Sequence, residues 1–332
     1  MKKMISMAAL ALCCVACGGN KAAEGQKAEE TAAQPTEQAT VYFTKEITPE
    51  ALVKIYKALG RTATGKVAVK ISTGEAGNPN YLQPSLIKNL IDEVQGTIVE
   101  CNTAYEGKRT TVEEHMKVIR EHGFLDIAKV DIMDAEGEFK IPVRDTTHIK
   151  YDIVGTHLKN YDFMINLAHF KGHPMGGLGG VLKNQSIGVA SANGKANIHT
   201  AGYQQVVEGL WDHVEDQDGF LESMAAAAQG VADYFGDKIL YISVLNNMTV
   251  DCDCVATPEP VYLKDMGIMA SLDPVALDQA CVDMVFQHAS TEGDDAKPLQ
   301  ERINQQHGTH TIDHAEKIGL GTKNYKIVSI DE

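Results

Sequence analysis

Apolar positions along the chain follow two periods that take turns. Residues 49–59 carry apolar groups at helical spacing after Pro49-Glu50, and Gly60 suits the stop. Val67-Ala68-Val69-Lys70-Ile71 is a short apolar run, predicting a strand. Pro84 opens a second helix with Leu86, Ile87, Leu90, Ile91 and Val94 on one face. A strand over 97–100 and a helix over 110–121, ended by Gly123, repeat the alternation. Further buried strands are predicted over 127–132, 164–168, 239–244 and 327–330. Helices are predicted over 224–234 and 273–287, the latter with Asp273 as N-cap and Pro274 in its first turn. The pattern predicts an α/β fold, a largely parallel or mixed sheet covered by helices on both faces. Ligands of such sheets gather at loops leaving the carboxyl ends of strands.

The first residues depart from this alternation. Lys2 and Lys3 precede an apolar run over 4–16, too short to span a bilayer, which ends in Val15-Ala16-Cys17. Residues 1–16 therefore read as a lipoprotein signal peptide with Cys17 as the lipidated residue; the alternative is an ordinary cleaved secretory signal. Lipidation would hold the protein on a bacterial membrane, at the periplasmic face or the cell surface, without spanning it. Residues 17–40, rich in Ala, Glu, Gln, Thr and Lys, lack the apolar groups that offset ordering entropy and read as a flexible tether. The globular domain is expected over 41–332.

The formal net charge of −15 becomes about −17 once Lys2 and Lys3 leave with the signal. No Lys/Arg cluster with interleaved aromatics is present, which argues against a nucleic-acid partner. Of the 7 Cys, Cys13 and Cys14 belong to the signal and Cys17 to the anchor, leaving Cys101, Cys252, Cys254 and Cys281. Four Cys do not make a disulfide-dependent scaffold in a domain of this size, and a Cys-x-Cys bridge would be strained.

Candidate chemistry follows the predicted strands. Residues 72–80 form a loop whose groups at Ser72, Gly74, Glu75 and Asn78 could bind an anion near the helix at Pro84, or make an ordinary turn. The next loop offers Asn102, Tyr105 and Arg109 in a compact polar stretch. Arg109 lies at a helix start, where the dipole favours anions, so an anionic ligand would rationalise it; the alternative is a solvent-exposed side chain. The densest segment runs from His169 to Asn184, with five Gly in nine residues. Such glycines permit close backbone approach and positive φ. His169, Lys171, His173, Lys183 and Asn184 surround Gly177 and Gly180, and Lys195 and His199 follow. Imidazoles suit proton transfer or metal ligation, and a Lys can hold an anion or form a covalent link. Asp251-Cys252-Asp253-Cys254 offers thiols and carboxylates to a transition metal, or forms a ligand-free turn. His307, His310 and His314 lack a third ligand and read as surface or capping groups.

Taken in order, these segments resemble the family named domain of unknown function 362. The resemblance rests on Gly74-Glu75, Asn102-Thr103-Ala104-Tyr105 with Gly107 and Arg109, residues 169–184 with Gly194-Lys195 and His199, residues 246–254, and the stretch from Asp265-Met266-Gly267 to Asp273-Pro274-Val275 and Asp278. Many members carry a ferredoxin-like iron–sulfur module. Residues 200–237 here contain no Cys, so no such cluster is expected. A more distant similarity links His173, Lys183 and His199, with Gly177 and Gly180 in the turn between, to the nickel-pincer lactate racemase family. That similarity implies an acid/base role for His173, cofactor attachment or anion binding at Lys183, and metal ligation by His199.

The sequence thus points to an exported lipoprotein enzyme acting on a small anionic substrate. His169, His173 and Lys183 are its catalytic candidates, and His199, Cys252 and Cys254 its metal candidates. The competing expectation is a non-catalytic lipoprotein that binds a metal, cofactor or metabolite.

Overall fold

Short apolar runs become strands of one sheet in the computed structural model, which describes residues 38–257 and 259–331. The first half comprises β1 (Ala39–Thr44), α1 (Pro49–Ala58), β2 (Val67–Lys70), α2 (Pro84–Val94), β3 (Thr97–Glu100), α3 (Val112–Glu121), β4 (Val130–Ile132), β5 (Glu138–Pro142), β6 (Tyr151–Gly155) and β7 (Phe163–His169). Then come β8 (Lys171–His173), β9 (Gly177–Gly179), α4 (Val181–Ser186), α5 (Ala192–His199), α6 (Gln217–Phe235), β10 (Ile239–Leu245), β11 (Gly267–Ser271), α7 (Pro274–Gln287), α8 (Lys297–Gln305), α9 (His310–Lys317) and β12 (Tyr325–Ser329).

Eight strands lie in the order β12-β1-β11-β10-β7-β2-β3-β4. β10, β7, β2, β3 and β4 are mutually parallel, β11 runs antiparallel to β10 and β1, and β12 is parallel to β1. The sheet is therefore mixed, with a parallel block at its centre. Strand alternation feeds two cores. Val67, Val69, Ile165, Leu167, Leu240 and Ile242 pack with Leu52 and Ile55 of α1 and Leu86, Ile87, Leu90 and Ile91 of α2. Ala68, Met164, Ala168, Ile239 and Tyr241 face the other way, toward α4, α6 and α7. Each fully buried Leu or Ile contributes about 1.5–3 kcal/mol, so both helical layers are held mainly by these faces.

Several expectations change. The C-terminal strand expected to be buried is an exposed edge, with Ile327 47% exposed, because among the described strands β12 pairs with β1 alone. Residues 127–129 precede β4 instead of forming part of it, since a 3-10 turn at Phe124–Asp126 takes up the chain. α6 starts seven residues earlier than expected, where the Asp216 side chain accepts the Gly219 N–H at 2.9 Å. β1 begins at Ala39, inside the stretch read as tether. The signal peptide and Cys17 lie outside the described residues. Among the described residues no helix is long and apolar enough to cross a membrane.

The connections out of β2 run through β3 to β4, whereas those out of β7 run the opposite way to β10. The gap between β2 and β7 is thus a topological switch point, where loops diverge above the carboxyl ends and leave a crevice.

Candidate active site

Four central strands end on residues that matter to this crevice: β2 on Lys70, β3 on Glu100, β7 on His169 and β10 just before Asn246. Lys70 and Glu100 are strand-end side chains, 1% and 4% exposed, with Lys70 Nζ 2.8 Å from Glu100 Oε2. Lys70 Nζ also donates to Ile71 O and, at 3.3 Å, to Asn184 Oδ1. The loops beyond these strands enclose a cavity of about 340 Å³. Ser72, Glu75, Tyr105, Arg109, His169, Lys171, His173, Gly180, Lys183, Asn184, Lys195, His199, Cys252 and Cys254 all reach its wall. Gly74, Asn78, Asn102 and Gly177 do not. Asn78 donates to Val255 O at 2.8 Å, and Asn102 N–H donates to Asp134 Oδ1 at 2.9 Å.

Three buried carboxylates organise the wall, and each is matched, as a buried charge must be. Glu100 accepts from Thr73 N–H at 2.7 Å and Thr73 Oγ1–H at 3.1 Å. Burial alone would raise its pKa, but the charges of Lys70 and Arg109 outweigh that and hold it at about 2. Glu75 accepts from Arg109 Nε at 3.2 Å and from the Lys108 N–H at 2.9 Å. Arg109 also donates to Tyr105 OH at 2.9 Å. Arg109 is 4% exposed, so the anion that rationalises its position is made of Glu75 and Glu100 of the protein. Asp253 is fully buried and accepts from Ser72 Oγ–H at 3.1 Å and Lys171 Nζ at 3.2 Å. Against its burial, the Lys171 charge and then the His169 contact hold this carboxyl well below the usual range. Ser72 and Thr73 of the 72–78 loop thus donate to Asp253 and Glu100 of the protein itself.

His169 shares that structural duty. Its Nδ1 lies 3.2 Å from Asp253 Oδ2 and its Nε2 2.6 Å from Asn246 O, so both ring nitrogens are taken up by protein oxygens. The ring anchors the 246–253 segment instead of offering a nitrogen to a substrate.

The glycine-rich segment folds as the hairpin β8-β9. A Cβ on Gly172 would stand 1.8 Å from Val250 O, and the Gly172 N–H donates to Thr249 O at 2.9 Å. This glycine lets the hairpin press against the segment leading to Cys252. Gly177 alone of the five has positive φ, +73°, and its missing Cβ makes room for Gly308 Cα at 2.7 Å. The close approaches at Gly172 and Gly177 are thus to the protein's own backbone, and those at Gly179 and Gly180 to the Lys171 and Asp278 side chains. Beyond them Asp278 caps α4, accepting the Val181 and Leu182 N–H groups at 2.8 and 2.9 Å.

The hairpin places His173 opposite the two thiols. His173 Nδ1 accepts two backbone N–H groups, from Met175 at 3.1 Å and Gly176 at 2.9 Å. With Nδ1 an acceptor, the neutral ring carries its proton on Nε2, which faces Cys254 Sγ at 3.9 Å. Burial and then the Lys183 charge lower the His173 pKa to about 4, keeping the ring neutral. Hydrogen bonding from Cys252 and then from His173 holds the Cys254 thiol below its ordinary value, while burial pushes Cys252 up. Cys252 Sγ accepts the Cys254 N–H at 3.2 Å and lies 3.4 Å from Asp253 Oδ1.

Donor atoms of His173, Cys252 and Cys254 lie within 4.8 Å of one another, a grouping whose number and type could hold a metal ion. His199, expected to join the thiols, is not in that group. Its Nδ1–H donates to Lys195 O at 2.7 Å and its ring stacks on Phe220 at 4.8 Å. The tautomer of His173 works against ligation, because Nε2 would have to give up its proton while Nδ1 stays hydrogen-bonded. Donor chemistry therefore fits a thiolate held by an N–H better than a chelated cation.

Lys183, half-buried on α4, and Lys195, buried on α5, complete the wall. Lys195 Nζ donates to Ala190 O at 2.6 Å, and burial lowers its pKa. Neither lysine has a carboxylate partner in an ion pair among the described residues. Sequence reasoning missed Lys70, Glu100 and Trp211 at the cavity wall. A signal existed for the first two: each is a charged residue closing an otherwise apolar strand. His314 also departs from expectation. It is 4% exposed, with Nε2 2.7 Å from Asp145 Oδ2, and is no surface group.

No curated protein matches the chain. Among solved structures, the lactate racemase apoprotein from Thermoanaerobacterium thermosaccharolyticum is similar at 15% identity and a TM-score of 0.36, covering 62% of this chain and 50% of that one. A Thermotoga maritima protein is similar at 10% identity and a TM-score of 0.40, covering 81% of this chain and 58% of that one. The chain spans only about half the length of either. The model of the family described as Domain of unknown function (DUF362) matches residues 67–283. This protein belongs to the DUF362 family.

Proposed function

We propose that this chain is an exported, lipid-anchored enzyme that acts on a small anionic substrate in the cavity at the β2/β7 switch point. One observation carries the reading. The site's three buried carboxylates are all matched by Lys70, Arg109, Lys171 and hydrogen-bond donors, and among the described residues none of them forms an ion pair with Lys183 or Lys195. Two lysines without an ion-paired carboxylate beside a low-dielectric cavity favour an anion there. Cys254, at the same wall, supplies a reactive group. Neutral His173 orients it as a hydrogen-bond donor.

Trp211 is the chain's single tryptophan, and it lines the cavity while half exposed. Its fluorescence is therefore a direct reporter. Oxalate or phosphate should change the emission saturably, and Lys183→Ala should weaken the apparent affinity by about tenfold, the size of one charge interaction of roughly 1.4 kcal/mol. An equal response to neutral analogues, or none to any anion, would remove the reading. A non-catalytic binder would retain an anion stoichiometrically without converting it.

Anchoring rests on Cys17, which follows Val15-Ala16 at the end of the apolar run. Cys17→Ser should move the protein from the membrane fraction to the soluble exported fraction and abolish a diacylglycerol mass on the mature N-terminus. Retention in the membrane would count against the anchor.

A further inference from the structure

Two thiols at one cavity wall are more than anion binding needs. Cys254 is partly exposed to the cavity, and Cys252, 3% exposed, sits behind it on the same turn. Their sulfurs lie within 4.8 Å of each other and of a ring nitrogen of His173. The His173 tautomer, set by the Met175 and Gly176 amides, aims an N–H at Cys254 Sγ. That ring cannot serve as a proton donor to a leaving group without becoming an imidazolate. The chemistry best served is one whose leaving group departs as a stable anion, and a thiolate is such a group.

We infer that Cys254 and Cys252 form a dithiol that reduces a small anionic disulfide, with Lys183 attracting its negative charge. The inference rests on the anion-binding reading above and names its substrate class. Cys254 Sγ attacks one sulfur of the substrate, a mixed disulfide forms, and the first substrate thiolate leaves. Cys252 then gives its proton to water in the cavity and attacks Cys254 Sγ, closing a Cys252–Cys254 bond and expelling the second thiolate. Two electrons pass from the dithiol to the substrate disulfide, and no other oxidant takes part. A bridge across a single intervening residue is strained, which raises the pair's reduction potential, so the disulfide it reduces is one whose thiolates are stable leaving groups. The same strain that makes this pair a poor structural bridge suits it to a transient one. Asp253, held by Lys171 and His169, fixes the turn from between the two cysteines.

The test uses the reduced full chain with 5,5′-dithiobis(2-nitrobenzoate), a small anionic disulfide, and with neutral 2,2′-dithiodipyridine. Peptide mapping separates the turn from Cys101 and Cys281, which are buried, and from the cysteines of the leader. The anionic probe should release two thiolates per turn in a fast phase and leave a Cys252–Cys254 disulfide. Cys252→Ser should release one and keep a stable adduct on Cys254. Lys183→Ala should slow the anionic probe about tenfold and the neutral probe little, again the scale of one charge interaction. A Cys254 adduct that Cys252 never resolves, or a metal ion retained on both thiols, would overturn the inference while an anion response at Trp211 still stood. Bridge formation with equal rates for both probes, insensitive to Lys183, would overturn the anionic substrate class. Because the wild-type bridge is itself the main readout, a variant that folds poorly does not decide the outcome.

Discussion

Gly172→Ala should lower stability by about 3 kcal/mol, a fall in Tm of roughly 6–12 °C, and slow alkylation of Cys254. The added methyl would meet Val250 O at 1.8 Å, Val250 C at 2.6 Å and Leu299 Cδ1 at 3.1 Å. Side-chain rotation cannot relieve contacts with a backbone carbonyl, so the hairpin β8-β9 or the 249–254 segment must move. Either movement breaks the Gly172 N–H bond to Thr249 O and separates His173 from Cys254. Gly176→Ala is the control, because its nearest atoms outside the local backbone are 3.5 Å away and the amide that holds His173 is retained. Calorimetry and iodoacetamide kinetics on the two variants check the pair. An unchanged Tm in Gly172→Ala would show that the two segments are not pressed together as described.

Glu100→Gln should cost about 3–5 kcal/mol at pH 7, because the amide keeps the shape but leaves the buried Lys70 ammonium without its counter-charge. Lys70→Met in the same protein should recover much of that loss, and a double-mutant cycle measures the coupling. The pH dependence has a definite sign. The Glu100 pKa in the folded protein is about 2, below the ordinary carboxylate value, so the folded state favours the ionised form. Its contribution, on the order of 3 kcal/mol, is fully present above about pH 4.3 and is lost as pH falls toward 2. Wild type and Glu100→Gln should therefore converge in stability across that window. Buried His115, His173 and His199, with pKa values lowered to about 3, 4 and 3, add a separate acid loss. It begins near the ordinary histidine pKa, where the unfolded chain takes up protons first, and is largely common to both proteins. Parallel stability curves down to pH 2 would refute the Glu100 assignment.

Strand and helix existence in the central block was legible because amphipathic periodicity reports which residues face a core. Val67, Val69 and Ile71 alternate into one core, and Leu86, Ile87, Leu90 and Ile91 stack on one helix face. The hairpin β5-β6 and the short helices α4 and α5 were not legible. β5 is largely solvent-facing, and α4 is a six-residue helix whose amides are capped by Asp278, 97 residues away in sequence. β12 was misjudged as buried because an apolar run does not reveal that its sheet position is an edge.

By itself the sequence determined the α/β class, the membership of the site in loops after strands, and the density of His, Lys, Gly and Cys there. Composition and spacing suffice for these, since they follow from local periodicity and side-chain chemistry. Only the tertiary structure decided which groups satisfy one another. It turned Arg109 toward Glu75 and Glu100, tied His169 and Lys171 to Asp253, and put His173 rather than His199 beside the thiols. Among the described residues it also left Lys183 and Lys195 outside the ion pairs that match the buried carboxylates. Pairing of charges depends on distances across strands β2, β3, β7 and β10, which lie far apart in sequence and meet only when the sheet closes.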